Sequence, residues 1–350
     1  MFRMLMQHVT AGFCLMASAS YAAVVLQYHH VAEATPASTS VSVRQFAQHL
    51  QHLEDEGFDV LPLDVLVDRV REGLDPREKV AAITFDDGFV DVFENALPLL
   101  DRRGWKSAMF VTPSRVGQTS MLSAEQLKSM DQRGHLVLNH GWSHAHMIRR
   151  LGSESERDWR RRMESEVERA QTILEGWIGH ALPKFFAYPY GEQDPALREI
   201  LRRKGYVAFG QYTGALAKDA DWQNLPRIPV NRHYAAWSPT TGASLRDKVR
   251  ALPMPVSSLS PLSALTTLST GSVSFLLPSA WRERQLNCFA GGAMMTPNME
   301  VQGDEVRVTL NAAIPIGRSR FTCTASAEGD RYYWFSWMWM RKPERGWYAE

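Results

Sequence analysis

Seven apolar runs, at 23–28, 58–61, 80–85, 107–111, 135–138, 185–188 and 207–210, alternate with helical patterns. Several are continuously apolar and rich in β-branched residues, as strands buried on both faces must be. Between them, Ser42 stands at an N-cap position ahead of Phe46, Leu50 and Leu53, and Gly57 closes that helix. Further helices are expected over 90–102, from Ser123 to about Arg133, and over 195–204. A long charged helix, opened by a Ser153/Glu156 capping box, is expected to end near Trp177. Strands alternating with helices of this length call for parallel pairing through right-handed crossovers. The fold class expected is α/β, a distorted β/α barrel of seven or eight strands, with a doubly wound sheet as the alternative. In either, polar groups at the carboxyl ends of strands form the active site.

The pattern breaks near Trp237. One last short helix is expected over 244–252, residues 253–270 are rich in Pro, Ser and Thr and read as a linker, and short strand-like runs follow. The expected organisation is an export signal at 1–22, a catalytic barrel at 23–252, a linker at 253–270 and a small all-β domain at 271–350. Within the last, the run 332–339 holds six aromatic side chains that either form core or stack on sugar rings, and core is the ordinary use.

Arg3, the apolar stretch 11–17 and the small residues Ser20 and Ala22 match a cleaved signal, so the mature chain is expected in the periplasm or outside the cell. No later run is long enough to span a bilayer. Lys plus Arg is 39 and Asp plus Glu 38, a balance that excludes a broad basic surface for nucleic acid. After the signal only Cys288 and Cys323 remain. In an oxidising compartment they are expected to pair, two buried thiols being the alternative.

Two motifs carry chemistry. Asp86 and Asp87 leave a buried strand just before Gly88, which permits the turn that lets both face one site. His140 and His144 follow another strand at a spacing that puts both imidazoles on one face of a helical turn. Asp87, His140 and His144 together offer two nitrogens and one oxygen, the donor set of a catalytic divalent-metal site with room for water. Zinc is the default ion, with cobalt, nickel or iron compatible.

These residues resemble the polysaccharide deacetylases of carbohydrate esterase family 4, the NodB homology domain. The motifs are 84–88 (Thr-Phe-Asp-Asp-Gly), 134–144 and 188–191 (Tyr-Pro-Tyr-Gly), and the likeness runs over about 25–232. It is closest to the poly-N-acetylglucosamine deacetylase branch, through the early Tyr28-His29 and through Asp-Asp-Gly-Phe at 86–89. The resemblance implies hydrolysis of N-acetyl groups on a polysaccharide, an exopolysaccharide or a cell-wall glycan. O-acetyl esterase activity and a catalytically weak carbohydrate-binding protein are the alternatives. It implies that Asp87, His140 and His144 hold the metal, that Asp86 is the general base, and that Tyr190 gives its backbone N–H to the oxyanion while its ring lines the sugar site. Trp142 is a candidate substrate contact, packing being its alternative.

The chain departs from the family pattern at three places. Gly141 stands where Ser or Thr is common, which removes one hydrogen bond around the metal ligands. Ala187 stands where an Arg orients the base; Arg227 is the candidate replacement and is grouped with the substrate-facing residues, a solvated surface Arg being the alternative. The late Leu-x-His that supplies the acid is missing. Among the eleven histidines, His29 at the end of the first strand is the expected general acid, as in the branch, with His233 second.

Overall fold

The structure, a computed structural model, describes residues 22–75, 78–233, 235–237, 244–261, 265–290, 297–311 and 313–347. The expected export signal lies outside the described residues except for Ala22. In chain order the first part comprises β1 (Ala22–Tyr28), a parallel pair β2 (His30–Val31) and β3 (Ser40–Val41), helix α1 (Val43–Asp55), β4 (Asp59–Val60), α2 (Leu63–Glu72) and β5 (Lys79–Asp87). A π-helical turn (Val92–Ala96) then leads into α3 (Leu97–Asp101), followed by β6 (Ala108–Val111), α4 (Ala124–Gln132), β7 (Leu136–Asn139) and α5 (Glu156–Ile178). Strand β8 (Phe185–Ala187), α6 (Pro195–Arg203), β9 (Val207–Phe209) and β10 (Ile228–Pro229) complete it.

Eight of these strands form one sheet in the order β10-β1-β5-β6-β7-β8-β9, with β4 beside β5, and every pairing is parallel. It curls into a distorted β/α barrel. The edges β9 and β10 are bridged by the segment between them, in which Gly210 N–H donates to Leu225 O (2.8 Å) and Leu216 N–H to Ala23 O (2.8 Å). Side chains leave the strands alternately to two cores, as the period of two demands. Ala81, Ile83 and Phe85 pack with Phe46, Leu50 and Leu53 of α1, whereas Val80 and Ala82 pack with Phe110, Leu138 and Phe209.

Register sets where the site lies. Asp87 pairs with Val111, Val111 with Asn139, Asn139 with Phe186, and Ala187 with Phe209. The carboxyl ends of β5 to β9 therefore align, and the loops leaving them meet along one rim.

The helix starts follow local chemistry. Ser42 and Ser123 close capping boxes with Gln45 and Gln126. The long helix is capped by Ser155, whose Oγ accepts from Asp158 N–H, and not by the expected Ser153. The carboxylate of the intervening Glu154 accepts from Leu151 N–H and Arg162, so the chain is still turning at Ser153.

Helix α7 (Leu245–Val249) precedes β11 (Leu252–Pro253), β12 (Ser257–Ser260), β13 (Leu265–Thr266), β14 (Ser272–Leu276), β15 (Leu286–Ala290), β16 (Asn298–Gln302), β17 (Glu305–Thr309), β18 (Gly317–Ser326) and β19 (Tyr332–Arg341). They build a five-stranded sheet, β11-β19-β18-β15 with β13 on β19, and a four-stranded sheet, β12-β14-β17-β16. The expected linker is thus corrected: residues 253–270 contribute strands to both sheets. Cys288 and Cys323 face each other across β15 and β18 and are disulfide-bonded. Trp337 and Trp339 share one buried apolar cluster with Phe321, and with Trp159, Leu197 and Tyr206 of the barrel, so this part of the aromatic run is core and is fused to the barrel.

Candidate active site

Strand β5 is buried from Val80 to its end, and its last two residues are both carboxylates, Asp86 1% and Asp87 8% exposed. Successive strand side chains diverge. The divergence is resolved at Asp87 itself, which takes a left-handed backbone (φ 75°), followed by Gly88 (φ 93°). Asp86 then points to Arg227, which grips it with both ends of its fork, Nη1 to Oδ1 at 2.7 Å and Nη2 to Oδ2 at 2.8 Å. Gln27 Nε2 donates to the same carboxylate at 2.6 Å. Burial alone would raise the Asp86 carboxyl; the Arg227 guanidinium outweighs it and holds the group below the usual carboxylate range.

Asp87 faces the two histidines. Its Oδ1 lies 3.0 Å from His144 Nε2 and 3.3 Å from His140 Nε2. The three side chains are the one group of this kind among the described residues, with ligand atoms within 4.8 Å of one another. The His pair does not ride on a helical turn as its spacing suggested. Residues 140–146 form an irregular loop in which Gly141 (φ 77°) and His144 (φ 57°) are left-handed. This explains Gly141: a side chain there would have room but the backbone would be strained. The loop is held by Asn139, whose Oδ1 accepts from Gly141 N–H and whose Nδ2 donates to Val167 O, and by Glu166, which accepts from Ser143 N–H and Oγ–H.

The donors fit a divalent cation. His140 Nδ1 lies 2.8 Å from Ala187 O. A carbonyl only accepts, so the proton sits on Nδ1 and Nε2 turns its lone pair towards Asp87. Asp87 Oδ1 is itself buried with no hydrogen bond of acceptable geometry. Two lone pairs facing each other in a buried site are reconciled by a cation between them. Burial raises the Asp87 carboxyl, but the neighbouring imidazoles hold it well below its ordinary range; burial lowers His144.

Tyr190 follows β8 in a tight turn with φ 60°. Its ring meets His144 edge-on (4.4 Å) and stacks flat on His146 (4.0 Å, 5°). His29 leaves β1 half-buried beside the carboxylates. Burial lowers its pKa, and the charges of Asp87 and Asp86 pull it back up.

A polysaccharide deacetylase family model matches residues 73–209, the stretch that carries Asp86, Asp87, His140, His144 and Tyr190. The chain carries a polysaccharide deacetylase domain. A putative polysaccharide deacetylase of Bacillus subtilis, YxkH, is 25% identical over 208 residues, which is 59% of this chain and 71% of that protein. The poly-beta-1,6-N-acetyl-D-glucosamine N-deacetylase of Staphylococcus epidermidis is 24% identical over 232 residues, 60% of this chain and 79% of its own. Among solved structures, IcaB from Ammonifex degensii superposes with a TM-score of 0.55 at 28% identity, covering 61% of this chain and 94% of that one.

In this deacetylase the other expected site residues fall in different places. Arg227 is fully buried and saturated by Asp86 and by Gly210 O (2.9 Å from Nε), so it is corrected from the substrate-facing set: no surface is left for a ligand. Trp142 is half-buried with the Arg169 guanidinium 3.6 Å from its ring centroid, a packing contact with α5. His233 is exposed in the turn after β10, whereas His30 is tied to Asp91 (2.6 Å) and stacked on Phe89.

Four residues near the site escaped the sequence reading. Gln27 had a signal, a polar side chain inside an otherwise apolar strand. His146 and the fully buried Glu192 bond at 2.8 Å beneath Tyr190. Arg318 of β18 places its guanidinium 5.2 Å from the Tyr190 ring and 3.8 Å from Glu192, and donates to Tyr190 O at 3.4 Å. Nothing in the sequence links Arg318 to the motif at 188–191.

Proposed function

We propose that this enzyme removes N-acetyl groups from an N-acetylglucosamine-containing exopolysaccharide, outside the cytoplasm. The observation that carries the reading is one buried carboxylate, Asp86, locked by Arg227 beside a second carboxylate that faces two imidazoles. The naming of the staphylococcal relative as a poly-beta-1,6-N-acetyl-D-glucosamine N-deacetylase supports the substrate class. The Cys288–Cys323 disulfide supports an oxidising compartment. Among the described residues no helix is long and apolar enough to cross a membrane.

Asp87, His140 and His144 would hold the ion, zinc first by the donor set, with cobalt, nickel or iron also compatible. A divalent cation there supplies Lewis acidity, polarising the acetamide carbonyl and making water acidic enough to attack near neutral pH. Asp86, kept ionised by Arg227 and aligned by Gln27, takes the proton from the attacking water. The Tyr190 backbone N–H, presented by its left-handed turn, donates to the developing oxyanion. His29 then protonates the leaving amine, so that the C–N bond breaks to give acetate and a free amine on the sugar. Gly141 and Ala187, the departures that would argue for a catalytically weak binding protein, are each compensated: Arg227 takes the base-holding place left by Ala187, and Ala187 O fixes His140 without a hydroxyl at 141.

The test is Asp86→Asn with acetate release from poly-N-acetylglucosamine oligomers. Loss of turnover by at least about a thousandfold with metal content unchanged is expected. Turnover at the wild-type rate refutes the assignment, and release from O-acetylated but not N-acetylated glycans refutes the substrate class.

A further inference from the structure

His29 has to reach the leaving nitrogen, yet the barrel sheet does not hold it. The ladder between β1 and β5 ends at Tyr28 and Phe85, and that between β1 and β10 ends at Gln27 and Pro229. His29 itself is a bend between β1 and β2. Its place is therefore set by whatever fixes the residues that follow it.

On one side that is β3. In this parallel pair His30 N–H donates to Thr39 O (3.1 Å) and Ala32 N–H to Val41 O (3.0 Å). The N–H and C=O of Val31 face the other way, to an edge with no strand beside it among the described residues. Two side chains take the missing strand's place. Asp91 Oδ1 accepts from Val31 N–H at 2.8 Å, and Asn95 Nδ2 donates to Val31 O at 2.8 Å. The second Asp91 oxygen accepts from His30 Nδ1–H at 2.6 Å, and the His30 ring stacks on Phe89 with centroids 3.6 Å apart. The His30 and Asp91 side chains are 11% and 16% exposed, so water competes little for these bonds.

All the holding groups come from one stretch. Phe89, Asp91 and Asn95 run from the loop that leaves β5 into the π-helical turn at Val92–Ala96. Such turns are rare and concentrate at functional sites. The strand end that carries Asp86 and Asp87 thus grips the segment that carries His29. We infer that Asp91, with Asn95 as a second anchor, is a positioning residue that holds His29 in place for delivery of its proton to the leaving amine. The inference rests on the reading of His29 as the general acid.

The test compares two leaving groups in the full-length, metal-loaded enzyme. Deacetylation of a β-1,6-linked N-acetylglucosamine hexamer requires protonation of the departing nitrogen, whereas para-nitrophenyl acetate releases a phenolate that needs no acid. The ratio of the two turnovers cancels any change in the amount of folded, loaded enzyme. Asp91→Ala is expected to lower the amide-to-ester ratio by about ten- to a hundredfold, the penalty for a catalytic group displaced by about an ångström. Asp91→Asn, which keeps an acceptor for Val31 N–H, is expected to recover part of it. Asn95→Ala is expected to act in the same direction by less, and it carries the test should Asp91→Ala fail to fold. His29→Ala is expected to lower the ratio further, and Asp91→Ala added to it to change nothing more, because a misplaced acid and a missing one fail at the same step. A ratio that His29→Ala lowers, but that the Asp91 and Asn95 variants leave at the wild-type value, overturns the inference and spares the reading of the acid. An Asp91→Ala effect that persists undiminished without His29 overturns it as well. A ratio unmoved in every variant refutes His29 as the acid and the inference with it.

Discussion

A buried arginine survives in a protein interior only when its charge and its nitrogens are all answered. Arg227 meets that condition: Nη1 and Nη2 hold Asp86 and Nε donates to Gly210 O. The geometry is bidentate, which a lysine cannot reproduce. Arg227→Lys is therefore expected to keep the chain folded and its metal content intact while lowering kcat by about ten- to a hundredfold, because Asp86 loses its alignment. Arg227→Ala strands a buried carboxylate and is expected to cost about 3–5 kcal/mol in urea unfolding. A lysine variant with unchanged kcat contradicts the role given to this pair. At this scale the sequence was informative where chemistry is local. Asp86, Asp87, His140 and His144 stand in short motifs at strand ends. Arg227 could be named only as a candidate partner of Asp86, and its grouping with the substrate-facing residues fails, because no motif tells whether an arginine's head is solvated or paired.

Whole strands were the most legible elements, since continuous apolar runs have few other uses, and caps came next. What the pattern hid was the backbone between elements: His140 and His144 meet through a loop with two left-handed residues, not through helical spacing. Helix α1 shows how such an element depends on pH. His49, 2% exposed, is 2.6 Å from Ala235 O through Nε2 and 3.1 Å from Tyr28 Oη through Nδ1. The carbonyl must accept, so Nε2 carries the proton and Tyr28 O–H donates to Nδ1. Burial lowers the His49 pKa from 6.5 to about 4. A depressed folded-state pKa means that the unfolded chain binds the proton first. The contribution is fully present above pH 6.5 and is lost as pH falls to about 4, at most about 3 kcal/mol. Asp101 acts lower down. Burial would raise it, but Arg133, His135 and Lys106 bring it to about 2, so its contribution is lost only below pH 4. His49→Gln is expected to flatten the decline of the urea midpoint between pH 6.5 and 4; a decline as steep as that of the parent protein shows that His49 is not its source.

On the scale of the whole molecule, the C-terminal strands are not an appendage. The stretch 253–270 was illegible as structure because its strands are two to four residues long and find their partners only in β14 and β19, far along the chain. The fused core that results carries Arg318 to the rim of the barrel, against Tyr190 and Glu192. Glu192, fully buried, also accepts from His146, whose ring lies flat on Tyr190. The turn that presents the Tyr190 N–H is thus clamped from both domains, in a conformation that a non-glycine residue adopts only when its surroundings enforce it. Arg318→Ala removes one jaw of the clamp at a site about one-third exposed, where little folding stability is at stake. The expected outcome is a fall of about tenfold in kcat with metal content and melting temperature held, and partial recovery in Arg318→Lys, which restores the charge but not the planar stacking. A merely structural arginine would instead lower the melting temperature and leave the kcat of the folded fraction untouched, and that result would detach the β domain from catalysis.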